Sequence, residues 1–153
     1  MESTLALSVE SRRLAGILLI SLVTVETGGL YLIALHRKKL PATPFQLAFA
    51  RAGHAHAGVL LILGLLCQVL TDASGQTGAF AWISRTGVPI AALLMPAGFF
   101  FSSMGAGRER PNGLLALVYL GGLCLAVGLL SLGVGLLTSG GRASVTFLPV
   151  QSW

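Results

Sequence analysis

The sequence predicts an all-α integral membrane protein, an up-down-up-down bundle of four transmembrane helices. Hydrophobic residues make up 54% of the 153 residues and charged residues only 10%, whereas a soluble domain normally has about 25% charged residues. Four apolar stretches, at about residues 14–35, 45–70, 86–104 and 114–137, are each long enough to cross a bilayer. The short polar connections between them favour neighbouring helices that run antiparallel.

The first predicted helix, 14–35, contains one charged residue, Glu26, and ends at the basic run His36–Lys39. It is too long for the apolar core of a cleaved signal peptide, so we expect a retained helix. The polar residues 1–11 are expected to be frayed.

The second helix, 45–70, follows a connector in which Pro41 and Pro44 cannot continue a helix. Arg51 lies two turns into it, and its long stem can extend back to the membrane surface. Gln68 is expected to bond to headgroups or water at the opposite surface.

The third helix, 86–104, is preceded by a polar stretch, 71–78, that predicts a loop. The fourth helix, 114–137, contains no charged residue. Residues 139–153 are interpreted as a surface tail, and the whole chain, 1–153, as a single domain.

The net charge of +5 lies mainly at the ends of the predicted helices, where basic residues anchor a protein to headgroups. It therefore does not indicate nucleic-acid binding, and membrane lipid is the expected partner. The connections after helices one and three hold more basic residues than the other side, which predicts that both termini lie outside a bacterial cytoplasmic membrane. Arg12 and Arg13 favour the opposite orientation.

Small residues recur along the fourth helix and let another backbone approach closely. They either pack within the bundle or form the contact with a second copy or another membrane protein. The residues assigned to that contact are Gly121, Gly122, Ala126 and Gly128.

Glu26 and His54 are predicted to lie at similar depth near the middle of the bilayer. Each lies ten residues from the first connection, counted from His36 and from Pro44, which is about 15 Å of helix. The same count places Met95 and Cys124 near the middle of the third and fourth helices. Ionisable groups at this depth are costly and usually functional.

His54 and His56 point to opposite sides of a helix, because two residues advance it by about 200°. Three interpretations stay open. One histidine forms a structural hydrogen bond with Glu26, the histidines bind haem iron or another metal, or Glu26 and a histidine relay protons or ions.

The run Phe49–Gly58 (Phe-Ala-Arg-Ala-Gly-His-Ala-His-Ala-Gly) resembles the His-x-His helix of the haem–copper oxidase catalytic subunits, nitric oxide reductases included. The resemblance implies that His54 and His56 are axial ligands of two different haems. The family has further ligand histidines on other helices, whereas the one remaining histidine of this chain, His36, is expected at the membrane–water interface. A haem would therefore need Met95, solvent or a second copy for its other ligand, and oxygen reduction is not expected.

The chain also resembles four-helix membrane proteins of bacteria with a Val-Glu-Thr-Gly-Gly segment, here Val25–Gly29, ahead of the Arg-x-Gly-His-Ala-His-Ala-Gly motif. This resemblance implies a four-helix membrane fold but does not indicate which activity the protein has.

The sequence thus predicts a small membrane protein that binds haem or another metal cofactor and acts in electron transfer or as an accessory to a redox complex; it favours no catalytic activity but leaves that question open. The expected cofactor-binding residues are His54, His56, Glu26, Met95 and Arg51, with the two histidines as metal ligands. Arg51 would neutralise a haem propionate or a lipid phosphate, or would only anchor the helix. A non-catalytic subunit and a proton-coupled carrier are the alternatives.

Overall fold

The predicted four-helix membrane architecture is confirmed. A computed structural model describes residues 7–37 and 39–139. Its four long helices are Val9–His36 (α1), Pro44–Ser74 (α2), Gly78–Ser102 (α3) and Ala116–Ser139 (α4), and the short 3₁₀ helix Gly113–Leu115 precedes α4. All four are long and apolar enough to cross a membrane.

The helix ends follow from local sequence. Thr43 caps α2: its hydroxyl accepts from the Gln46 amide, and the Gln46 side chain accepts from the Thr43 amide. Gly75 ends α2 in the left-handed conformation (φ 65°) that suits glycine.

The predicted loop 71–78 is wrong in extent, because α2 continues to Ser74 and α3 already begins at Gly78. The predicted frayed segment 1–11 is wrong in its last residues, since Ser8 caps α1 and Ser11 is fully buried. Residues 1–6, and residues 140–153 of the predicted tail, lie outside the described residues.

Helices α2, α3 and α4 form the compact part of the molecule, whereas α1 packs mainly against α2. One apolar core joins the helices; its buried members are Leu18, Leu60, Leu61, Cys67, Val88, Ala91, Ala92 and Leu132. The outer surface carries many exposed leucines and isoleucines, among them Ile20 and Leu137. Such a surface is suited to lipid.

Glycines seven residues apart bring α4 onto α3. Gly128 faces Gly87 so closely that a Cβ on Gly87 would lie 2.6 Å from the Cα of Gly128. Gly121 makes room in the same way for Met95. Gly121 and Gly128 thus pack inside this chain, in agreement with the first of the two alternatives, while Gly122 has open space around it and Ala126 is exposed. A contact of α4 with a second copy or another membrane protein stays a prediction.

Candidate functional site

His54 lies between α1 and α2. Its ring faces a glycine pair on α1: a Cβ on Gly28 would lie 3.1 Å from the His54 Nδ1 atom, and one on Gly29 would lie 3.6 Å from Cε1. The absence of side chains at these two positions creates the space that the imidazole fills. His54 therefore lies within one helical turn of Glu26 in depth, and its ring packs directly against the α1 backbone.

His56 lies on the other side of α2, next to α3. Its Nδ1 atom is 2.7 Å from the carbonyl oxygen of Ala52, and its ring centre is 5.0 Å from that of Phe99. A carbonyl oxygen only accepts hydrogen bonds, so this contact requires the proton on Nδ1. In the neutral imidazole, the lone pair is then on Nε2.

Aromatic side chains surround one side of His56. Phe99 also contacts Phe49 edge-on, with ring centres 5.6 Å apart, and the Phe49 ring lies tilted by 44° against that of Phe45, with ring centres 4.2 Å apart. Such packing fixes the imidazole plane and keeps it in apolar surroundings while the ring remains half-buried.

Glu26 does not meet either histidine. Its side chain is exposed on the outer surface of α1, and among the described residues it forms no ion pair with His54 or His56. The hydrogen bond proposed between Glu26 and a histidine is therefore not formed. Residue counting gives depth along a helix but not the rotation of α1 about its axis, and that rotation separates the two groups.

Met95 and Cys124 lie in the α3–α4 contact. The Met95 side chain packs against Gly121, and Met95 shares a face of α3 with Phe99, one turn away. Cys124 is half-buried and is not paired in a disulfide with Cys67. Within residues 7–37 and 39–139, no group of three or more histidine, cysteine or acidic side chains could hold a metal ion.

Arg51 is exposed, on the side of α2 that faces the end of α1. Five residues separate it from His56, which corresponds to about 140° around the helix. Arg51 and His56 therefore belong to different surfaces, and the five predicted cofactor residues do not converge on one site.

A buried polar cluster that the sequence did not predict links α1, α2 and α3. Arg85, only 8% exposed, donates from Nη2 to Asp72 at 2.6 Å and from Nε to the Ser11 hydroxyl at 3.1 Å. The Ser8 amide donates to the other Asp72 oxygen at 2.8 Å. The carboxylate and the guanidinium thus neutralise each other where α1 begins.

Gln68 belongs to the same cluster, which corrects its assignment to headgroups or water. It is fully buried, and its amide donates to the carbonyl oxygens of Gly64 and Arg85 at 3.0 and 2.9 Å. The spacing of Gln68 and Asp72, one turn apart on α2, was the available signal, because such residues share a helix face.

A second polar group lies nearby, between α3 and α4. The Gln76 side chain covers Gly135, donates to the Ser131 carbonyl oxygen at 2.9 Å and accepts from the Ser84 hydroxyl at 2.9 Å. These bonds tie the loop between α2 and α3 to α4.

Comparisons with protein-family models, with characterised proteins and with solved structures give no significant match.

Proposed function

We propose that this chain is a multi-pass protein of a bacterial cytoplasmic membrane that binds haem and acts in electron transfer as an accessory to a redox complex. The observation that supports this best is the 2.7 Å contact between His56 Nδ1 and the Ala52 carbonyl oxygen. Histidines that ligate metals usually donate their other ring nitrogen in this way, which fixes the tautomer and increases the basicity of the ligating nitrogen. In this proposal His56 would bind the haem iron through Nε2.

His54 fits the cofactor poorly. Its ring fills the gap beside Gly28 and Gly29, so a haem bound there would have to separate α1 from α2. We therefore revise the ligand set predicted from the sequence and assign His54 to helix packing.

The second ligand of the iron comes from one of two sources. Met95 lies one turn from Phe99, the residue that contacts His56, and methionine with histidine is a known haem ligand pair. Its side chain packs against Gly121 and would have to leave that contact to reach the iron. Alternatively, a second copy related by a two-fold axis supplies its own His56. The iron would supply one-electron chemistry, and the protein would supply orientation and apolar surroundings.

The orientation belongs to the same proposal. The connection between α1 and α2 holds Arg37, Lys38 and Lys39, and that between α3 and α4 holds Arg108 and Arg110. The positive-inside rule then places these connections in the cytoplasm and both termini outside.

Absorption spectroscopy tests the haem proposal. We expect the protein purified from cells supplied with a haem precursor to show a Soret band that His56→Ala abolishes. His54→Ala and the interfacial control His36→Ala should retain it. A colourless wild-type protein, or a band that survives in His56→Ala, contradicts the proposal.

Met95→Leu distinguishes the two sources of the second ligand. Loss of a methionine ligand lowers the reduction potential, whereas a second His56 leaves the potential unchanged and requires a dimer in solution.

A second candidate function, a non-catalytic membrane subunit, is favoured by Glu26. An exposed carboxyl in the middle of an apolar helix is unfavourable against lipid, and α1 offers a long surface that other helices of the chain leave uncovered. A partner helix with a hydrogen-bond donor at this depth would satisfy Glu26.

A further inference from the structure

Two clefts meet at Arg51, where α1 ends and α2 begins. One, of about 440 Å³, is lined by Leu32, Ile33, His36, Arg37 and Arg51. The other, of about 630 Å³, shares His36 and Arg51 and continues along the connection to α2. We name the surface formed by Leu32, Ile33, His36, Arg37 and Arg51 the Arg51 surface.

The positive charges of the Arg51 surface lack a partner in the described part of the chain. Arg37 and Arg51 are exposed, and the one ion pair found among the described residues joins Arg85 to Asp72 at the other end of the bundle. Arg37 and Arg51 line one cleft, and an anion bound between their guanidinium groups would offset the repulsion of the two like charges.

The depth of Arg51 indicates which anion suits this surface. Arg51 is seven residues after Pro44, the first residue of α2, so its Cα lies about 10 Å into the helix. Its side chain extends back toward the membrane surface, which is where lipid phosphates lie. Leu32 and Ile33, on the same cleft, supply an apolar wall deeper in the membrane.

We propose that the Arg51 surface binds an anionic phospholipid, with its phosphate between Arg51 and Arg37 and an acyl chain along Leu32 and Ile33. A haem propionate is a poorer fit, because Arg51 lies about 140° around α2 from His56. Free phosphate would use the charges but not the apolar wall. The proposal is independent of haem binding.

Native mass spectrometry of the protein in neutral detergent tests the proposal, with phosphatidylglycerol as the probe and phosphatidylcholine as the uncharged comparison. We expect tighter retention of phosphatidylglycerol, and a loss of about fivefold in Arg51→Gln, since one basic residue near an anionic lipid contributes about that factor. Arg51→Lys should keep most of the preference because it keeps the charge.

Arg13→Gln is the matched control, because Arg13 is also exposed but lies at the start of α1. It should leave retention unchanged. Equal thermal stability of Arg51→Gln and wild type in phosphatidylcholine confirms that the variant is folded. Equal retention of both lipids, no effect of Arg51→Gln, or binding of inorganic phosphate as tight as that of phosphatidylglycerol would each overturn the proposal.

Discussion

Where α1 begins and α2 ends, Arg85 and Asp72 bond to each other inside the bundle, whereas where α1 ends and α2 begins, Arg37 and Arg51 face outward. Arg85 is 8% exposed and pairs with Asp72. Arg51, on the same scaffold, is exposed and has no acidic partner among the described residues. We refer to these regions as the Arg85 end and the Arg51 end.

The difference indicates that the Arg85 end stabilises the fold, whereas the Arg51 end is available to bind a ligand. A buried ion pair that also bonds to Ser11 and the Ser8 amide holds three helices in fixed positions and leaves little for a ligand to bind. Toward the Arg51 end, the Nε2 atom of His56 and the guanidinium of Arg51 remain available. Ligand binding is therefore expected away from the Arg85 end.

The largest expected effect comes from breaking the ion pair at the Arg85 end. Arg85→Gln should lower the free energy of unfolding by about 2–4 kcal/mol, because it leaves the Asp72 carboxylate without its partner; the loss is less than for a fully buried pair, since Asp72 is half-buried and keeps its bond from the Ser8 amide. Denaturant titration in detergent micelles, followed by circular dichroism, measures the change.

Arg13→Gln, an exposed arginine of α1, is the control and should change stability by less than about 0.5 kcal/mol. If Arg85→Gln were as mild as this control, the ion pair would not hold the helices and the contrast between the two ends would fail.

A smaller effect is expected from the α3–α4 contact. Gly87→Leu should destabilise the protein by about 1–3 kcal/mol, because a side chain at Gly87 meets the backbone of Gly128. Gly122→Leu places the same side chain where nothing lies within 4 Å. The unfolding midpoint should therefore shift only in Gly87→Leu.

An equal loss of stability in Gly122→Leu would mean that the outer face of α4 is already covered by another chain. Size-exclusion chromatography of the wild type would then show an oligomer that Gly122→Leu disrupts.

The sequence was sufficient to predict the four helices but not the bonding at the Arg85 end. Long apolar runs determine that four helices form, since backbone groups in lipid must be hydrogen-bonded internally. The same reasoning treats polar residues as the ends of a span, so it wrongly placed a loop over 71–78 and assigned Gln68 to the surface. The opposite charges of Arg85 and Asp72 lie on two different helices, so no pattern within one helix reveals that they pair.

For the candidate site, the sequence predicted some features and missed others. The opposite directions of His54 and His56 follow from helix geometry alone. The structure confirms them, because His54 lies against Gly28 and His56 against Phe99. The contact of Glu26 with a histidine depended on the rotation of α1, which the glycine pair and the Ser11–Arg85 bond set. Neither is visible in the spacing of the ionisable residues.

The smallest expected effect on stability tests whether Glu26 serves the fold or a partner. Glu26→Gln should change the free energy of unfolding of the isolated chain by less than about 0.5 kcal/mol, because Glu26 is exposed and bonds to neither histidine. Its effect should appear in association: if a partner helix donates a hydrogen bond to the carboxylate, the variant should co-purify with less of that partner. Glu10→Gln, at the exposed start of α1, removes an equal charge and should leave co-purification unchanged. A large loss of stability in Glu26→Gln would instead mean that the carboxylate holds α1 to its own chain, so internal polar bonds would stabilise the bundle beyond the Arg85 end.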